Sequence, residues 1–361
     1  MTNTVLASDL DYIYGELSDE DREKFSESNI LITGACGFVG YYMVNFLAEF
    51  ASSLKIKDIL VLDNFVLGRP GWIDGLSKKY GFVRVNDFDV SKDKLDAISG
   101  IRKYDSIIHM ASIASPIYYR KSPLKTIDAN VWGLRNILDF FSNDNVRGFL
   151  NFSSSEVYGD PDSNKVPIEE EYRGNVQING PRACYDEAKR FGETLCYVFN
   201  REFGMNIVSV RPFNNYGPGL RLTDARAPAD FANSVLNGRD IEIFSDGLST
   251  RTFTYIADAI VGYLKALYYG KFDYFNIGMD RPEITIRRLA EIYAGSGKRV
   301  FGRDTKIAYS SSKDSAYLKD NPVRRCPEIT KAREKLGFSP KIDVTEGVEK
   351  FLTYLREEKG K

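Results

Sequence analysis

The chain has 361 residues, 49 basic against 50 acidic side chains, a formal net charge of −1 and a single histidine. That balance excludes a nucleic-acid-binding tract and a basic membrane-surface patch, and one histidine excludes a histidine-rich metal site, so no metal is expected. A chain this long buries a sizeable core and is expected to form two lobes rather than one compact domain.

Residues 1–28 place Leu10, Ile13, Tyr14, Leu17 and Phe25 among many acids, the pattern of one amphipathic helix packed on the surface. Ile30 to Ile32 then reads as a buried strand, followed by Gly34, Gly37 and Gly40 and a helical apolar pattern from Tyr41 to Ala48. Strand, tight turn and helix in this order suit a diphosphate. Glycine lets the backbone approach the anion, and the free N–H groups and dipole of the helix start attract it. Phe38 and Val39 belong to the same loop, whose G-x-x-G-x-x-G spacing differs from the commonest dinucleotide fingerprint. A second buried run, Asp58 to Asn64, ends in an acid roughly 20 residues past the loop, where a ribose-binding carboxylate belongs. Asp63 would accept from the adenosine ribose hydroxyls and repel a 2′-phosphate, so NAD is expected rather than NADP; Arg69 lies close enough to keep NADP as the minor alternative.

Phe82 to Val85 reads as a third strand, closed by Asp87-Phe88-Asp89-Val90, whose acid and small apolar residue would contact the adenine or form a plain turn. Tyr104 to Ala111 is the fourth strand, ending in small residues that let a cofactor pass, and a long helix is expected from Pro123 to Phe141 with Asn130 inside it. Alternating strands and helices indicate a parallel sheet with helices on both faces. The fifth strand, Gly148 to Ser153, runs into Ser154, Ser155 and Glu156, hydroxyls and a carboxylate at the strand end where such sheets bind ligands. Tyr185 and Lys189 lie four apart on a predicted helix, so they share a face, and an ammonium there would lower the phenol's pKa toward neutrality. A sixth strand covers Asn206 to Val210. Later segments are short and mixed: a helix near Asp230–Leu236, strands at Ile241–Phe244 and Phe275–Gly278, and helices over Ile256–Tyr269 and Thr285–Tyr293. They suit a smaller, discontinuous lobe capping the carboxyl edge of the sheet. Cys36, Cys184, Cys196 and Cys326 are far apart and without C-x-x-C spacing, so reduced thiols are expected. With no signal-peptide pattern at Met1–Tyr14 and no membrane-length apolar run, the expected location is cytoplasmic. His109, at a strand end, reads as structural.

Five stretches resemble the extended short-chain dehydrogenase/reductase family, in its nucleotide-sugar branch. They are Asp63-Asn64-Phe65 with Gly68-Arg69; His109-Met110-Ala111-Ser112 with Ala114-Ser115-Pro116; Ser155 to Pro161; Gly180-Pro181-Arg182-Ala183-Cys184-Tyr185-Asp186-Glu187 with Lys189-Arg190; and Thr250-Arg251 leading into Tyr255. The resemblance covers roughly Ile30 to Leu352, and within the branch it is greatest to the UDP-glucuronate decarboxylases. It implies a Rossmann-type doubly wound parallel sheet with a smaller discontinuous α/β substrate lobe. The implied divisions are a helical extension over 1–28, an NAD-binding domain over 29–212 and 252–276, and a nucleotide-sugar lobe over 213–251 and 277–355.

The resemblance also implies roles. Tyr185 would be the base on the sugar 4-hydroxyl, Lys189 would hold the nicotinamide ribose, Ser154 would hydrogen-bond the reacting oxygen, and Glu156 stands where related dehydratases place a C5 base. Gly34, Gly37, Phe38, Val39, Gly40, Asp63, Asn64, Asp89, Val90 and Ala111 would line the NAD site; Ser115, Asn214, Arg226 and Arg251 would touch the substrate. Arg324 lies in a basic segment that also matches. There are departures: where decarboxylases usually carry Arg after Tyr216-Gly217-Pro218, Gly219 stands, with Arg221 two residues later, and Pro228 and Ala229 replace residues near the uridine end. The implied reaction is decarboxylation of UDP-glucuronate to UDP-xylose through a 4-keto sugar. The alternatives are an NDP-hexose 4,6-dehydratase or 4-epimerase, and a non-catalytic NAD-binding scaffold. Dehydratases use adjacent Asp-Glu as acid and base; here Ser155-Glu156 takes that place, and serine is a poor general acid. A homodimer is expected through a four-helix interface built from Pro123–Phe141 and Ala183–Phe203.

Overall fold

The computed structural model describes residues 3–310 and 322–360. Strands β1 (Asn29–Thr33), β2 (Asp58–Asp63), β3 (Val83–Asp87), β4 (Ser106–His109), β5 (Gly148–Phe152), β6 (Ile207–Pro212) and β7 (Asp273–Ile277) form one seven-stranded sheet, in the order β7-β6-β5-β4-β1-β2-β3. Every pairing in it is parallel. Successive strand residues fall to opposite faces: Ile30 and Ile32 join one buried cluster and Leu31 the other. Helices Phe38–Glu49 and Ile256–Leu267 pack on the first face; Leu134–Phe141 and Ala183–Phe203 cover the second. Strand order reverses between β1 and β4, so the loops that follow them diverge and open a crevice at the carboxyl edge.

The amino-terminal segment differs from its expectation. It forms two helices, Thr4–Glu16 and Asp19–Glu23, and the first is a core element rather than a surface addition: Leu10 and Ile13 are buried in the main cluster. Asp9 is fully buried and explains the docking. It accepts hydrogen bonds from the Tyr42 hydroxyl (2.7 Å) and the Tyr255 hydroxyl (2.6 Å), with the Lys350 ammonium 3.0 Å from its other oxygen. The same helix start meets the last helix, Val344–Lys359: Asn3 donates to Glu358 (3.0 Å) and the Thr4 amide to Glu357 (2.9 Å).

The stretch Pro123–Phe141 is helical but not uniform. A π turn over Asp128–Gly133 separates helices Pro123–Ile127 and Leu134–Phe141. The turn brings Gly133 against Val90, where a Cβ would sit 2.5 Å from Val90 Cγ2. The helix expected over Thr285–Tyr293 runs further, Ile286–Phe301: Thr285 caps its start by accepting from the Arg288 amide (3.0 Å), and Gly302 ends it at φ 68°. In the smaller lobe, Thr250–Arg251 lies between Ile284–Thr285 and Arg324–Arg325, and Ile241–Ile243 pairs with Ile307–Tyr309. No helix among the described residues is long and apolar enough to cross a membrane, and no metal-ligating cluster occurs among them.

Candidate active site

Two adjoining cavities of about 390 and 380 Å³ run along the carboxyl edge and share Gly34, Gly37 and Ser112. Each is large enough for a nucleotide-sized ligand, for which pockets of about 300–1,000 Å³ are usual. The glycine loop brings β1 and the next helix close to β4. Gly34 has φ +69° and packs on Ala111, whose Cα a Cβ would approach to 2.5 Å; a Cβ on Gly40 would meet the Ala35 carbonyl at 2.0 Å. Larger residues would fill the cradle. Gly37 caps the helix Phe38–Glu49 without a side chain, leaving its first amides facing the groove where an anion gains most.

The first cavity is lined by Asp63, Asn64, Asp89, Val90 and Ala111, all predicted cofactor residues. Asp63 accepts from the Cys36 amide and the Phe65 amide, both at 2.8 Å, and burial raises its carboxyl pKa. Asn64 accepts from the Val66 amide at 3.1 Å and Asp89 is fixed by Ser91 and Lys92. The hydroxyl of Ser112, at the junction of the cavities, is buried without a hydrogen-bond partner among the described residues. An acid at the β2 end, a small-residue wall, a cradle that only glycine allows and an orphan hydroxyl together fit a dinucleotide. NAD held there would supply a hydride acceptor and a positively charged ring, with Gly34, Gly37, Asp63 and Ser112 as the residues that would hold it.

The second cavity holds Phe38, Val39, Gly40, Ser154, Ser155, Glu156, Tyr185, Lys189, Asn214, Arg226 and Arg251. Tyr185 stacks on Tyr119, with ring centroids 5.2 Å apart, and its hydroxyl is hydrogen-bonded to Ser154. The predicted acidification by Lys189 is absent from the structure. Burial pushes the Tyr185 phenol up to about 12, against the opposing pull of the Ser154 hydrogen bond and Arg226. The Lys189 ammonium instead donates to the Phe152 carbonyl at 2.6 Å, 5.7 Å from the Tyr185 ring centroid, and burial brings its own pKa down to about 7. Desolvation favours the neutral form of both groups, so the shared helix face does not by itself yield a phenolate.

Glu156 sits on the 3-10 turn Ser155–Tyr158 with its carboxylate between the Arg182 and Arg325 guanidiniums. Burial opposes the charge, but the two arginines outweigh it and hold the Glu156 carboxyl below the usual carboxylate range. A carboxylate so stabilised is a weaker proton acceptor than an isolated one. Asp186 is pushed the other way, by burial and by the Glu156 charge. Arg251 donates to the Thr250 (2.7 Å) and Val323 (3.0 Å) carbonyls; burial, then the neighbouring Arg325 charge, pull its pKa down to about 9. Arg226 is paired with Asp224, and Asn214, at φ +42°, donates to the Thr252 carbonyl at 2.9 Å. Ser115 is not brought into the cleft wall: its hydroxyl donates to the Asp224 carbonyl at 3.0 Å while Ala114 and Pro116 line the cavity. His109 is buried, 2.8 Å from the Thr33 hydroxyl, and burial lowers its pKa to about 3, so it is a neutral structural group.

Sequence reasoning missed Arg182, Arg325, Tyr119 and Asp230, all in this cavity. Arg182 could have been found, because it precedes Tyr185 by one helical turn. Arg325 was legible only as part of the basic segment with Arg324, with nothing nearby to say that it faces the cavity. Its neighbour Arg324 points outward to Glu283 at 2.6 Å, as strand alternation requires. Tyr119 presents a buried hydroxyl with no hydrogen-bond partner among the described residues, and burial raises the Asp230 carboxyl to about 6.

Residues 30–278 match the NAD dependent epimerase/dehydratase family. The chain is 33% identical over 342 residues to UDP-glucuronic acid decarboxylase 1 of Xenopus tropicalis, covering 95% of this chain and 74% of that protein. It is 36% identical over 331 residues to UDP-glucuronic acid decarboxylase 5 of Arabidopsis thaliana, covering 91% and 89%. Among solved structures it resembles UDP-glucuronic acid 4-epimerase from Bacillus cereus, in complex with UDP-glucuronic acid and NAD. That match has TM-score 0.75 and 22% identity over 91% of this chain and 99% of that one.

Proposed function

The chain belongs to the NAD dependent epimerase/dehydratase family, and we propose that within it the protein decarboxylates UDP-glucuronate to UDP-xylose with its NAD retained. The observation that carries the choice of a sugar acid is the cationic surplus at the reacting end. Arg182 and Arg325 grip the Glu156 carboxylate, with Asp186 3.6 Å from Arg182, while Arg251 donates to main-chain carbonyls and is destabilised first by burial and then by the Arg325 charge. An incoming carboxylate relieves that repulsion, whereas a neutral hydroxymethyl group does not. The similarity to decarboxylases over nine-tenths of the chain supports the same substrate.

Tyr185 takes the proton of the sugar 4-hydroxyl, with Ser154 holding the same oxygen. Because the phenol stands at about 12 without cofactor, it acts as a base only when added positive charge favours phenolate. Lys189, held by the Phe152 carbonyl, secures the ribose side. With NAD as the acceptor the site would supply for the C4 hydride, C4 becomes a ketone and the C6 carboxylate is β to it; the C5–C6 bond breaks, CO2 leaves and its electrons form an enolate on O4. Tyr185 and Ser154, as donors to that oxygen, stabilise the charge. C5 then takes a proton from water, and return of the same hydride to C4 with a proton to O4 gives the xylose. Glu156 fixes the two guanidiniums rather than moving a proton.

Within this reading, residues 29–212 and 252–276 form the NAD domain, 213–251 and 277–355 the nucleotide-sugar lobe, and 1–28 an extension. Exposed Leu124, Trp132, Phe191 and Val198 on Pro123–Phe141 and Ala183–Phe203 support a homodimer through those helices. Four unpaired cysteines support a reducing, cytoplasmic setting. Recognition of a sugar acid equally suits 4-epimerisation of UDP-glucuronate. Incubation of the NAD-loaded protein with UDP-glucuronate separates the two: decarboxylation releases CO2 and a UDP-pentose, and epimerisation gives a product of unchanged mass. Absence of CO2 refutes the decarboxylase.

A further inference from the structure

The loop after β6 carries the departure noted in the sequence, Gly219 and a displaced Arg221. Gly219 adopts φ +88° and lies flat against Tyr41 of the glycine-loop helix, where a Cβ would come within 2.7 Å of the ring. From there consecutive side chains diverge. Leu220 lines the reacting-end cavity and Arg221 lines the adenosine-end cavity, so the loop crosses the groove between its two halves. On the far side Arg221 Nη1 donates to the Leu67 carbonyl at 2.6 Å. That carbonyl belongs to the loop after β2 whose start is pinned by Asp63 at the Phe65 amide (2.8 Å) and by Asn64 at the Val66 amide (3.1 Å). The nearby Arg69 is engaged by Asp74 at 2.6 Å. The Arg221 charge is felt at Asp63, where it favours the carboxylate, and at Cys36 in the glycine loop.

We propose that Arg221 is a cofactor-retaining residue, strapping the substrate-lobe loop to the Leu67 loop across the dinucleotide groove and placing a fixed cation on its adenosine side. The proposal rests on NAD occupying the groove, not on which sugar reacts. A guanidinium has five N–H donors in a rigid fork, so one can bind the Leu67 carbonyl while others face an anionic ligand. Releasing the dinucleotide then requires breaking that bridge. This suits a reaction in which the cofactor is reoxidised in place.

The test is the NAD release rate, followed by dilution of the loaded protein into an enzyme that consumes free NAD. Arg221→Ala is expected to release NAD about tenfold faster or more, the loss of roughly one charge-assisted hydrogen bond. Arg221→Lys, which keeps the charge without the fork, is expected to fall between. UDP affinity of the NAD-saturated variants, measured by calorimetry, is expected to stay within about twofold. Release by Arg221→Ala within twofold of wild type overturns the proposal. So does an equal loss of UDP affinity, which would mark a general collapse of the lobe. Failure of wild-type protein to bind NAD at all overturns the cofactor reading and this proposal together, and is distinguished from both results.

Discussion

Asp9→Ala is expected to destabilise the protein by about 3–5 kcal/mol, the range for breaking one partner out of a buried ion pair. The structure supplies the reasons. Tyr42 and Tyr255 are fully buried and both hydroxyls donate to Asp9; without it they keep only each other, so at least one buried donor is orphaned at about 1–3 kcal/mol. Lys350 loses the carboxylate 3.0 Å away, but its ammonium is partly exposed and swings to water, which limits that share. Release of the Asp9 charge from a dry site offsets part of the total, so the sum of the parts is an upper bound. Tyr42→Phe and Tyr255→Phe, which each leave the carboxylate one donor, should cost about 1 kcal/mol apiece. Urea unfolding of the four proteins, with the slope checked for constancy, measures these values. A loss below about 1 kcal/mol for Asp9→Ala would refute the account of the first helix as a core element.

The unloaded protein should gain stability with rising pH between about pH 7 and about pH 9 through Lys189. Its folded-state pKa of about 7 lies below the unfolded value, so in this window the unfolded chain holds a proton that the folded chain lacks. The slope is at most about 1.4 kcal/mol per pH unit, and the urea midpoint of Lys189→Met should lack that increment; a parallel pH response of both proteins contradicts the assignment. Trp132→Asp should weaken the proposed dimer by about 30-fold or more, the loss of a central aromatic anchor, as read by sedimentation equilibrium. A wild-type protein that sediments as a monomer removes the basis for that interface.

The parallel sheet was legible because each strand is a short apolar run closed by small or acidic residues, and because glycine spacing marks the first crossover. Tyr185 and Lys189 were legible as neighbours, since helical geometry alone sets their spacing. Their ionisation was not, because it depends on burial under Tyr119 and on a carbonyl from β5, neither of which lies near them in the chain. Glu156 shows the same limit. A carboxylate at a strand end suggests a base, and it becomes the anion between two guanidiniums only when Arg182 from the next helix and Arg325 from 169 positions away arrive beside it. The first helix was misread as peripheral because its one diagnostic residue, Asp9, looks like a solvated acid until Tyr42, Tyr255 and Lys350 surround it. The π turn left no mark in composition; Gly133 against Val90 is its only local sign.

Asn3 and Thr4 are bonded directly to Glu358 and Glu357. The first and last helices thus brace one another, so a substitution that loosens Thr4–Glu16 should also raise amide exchange along Val344–Lys359.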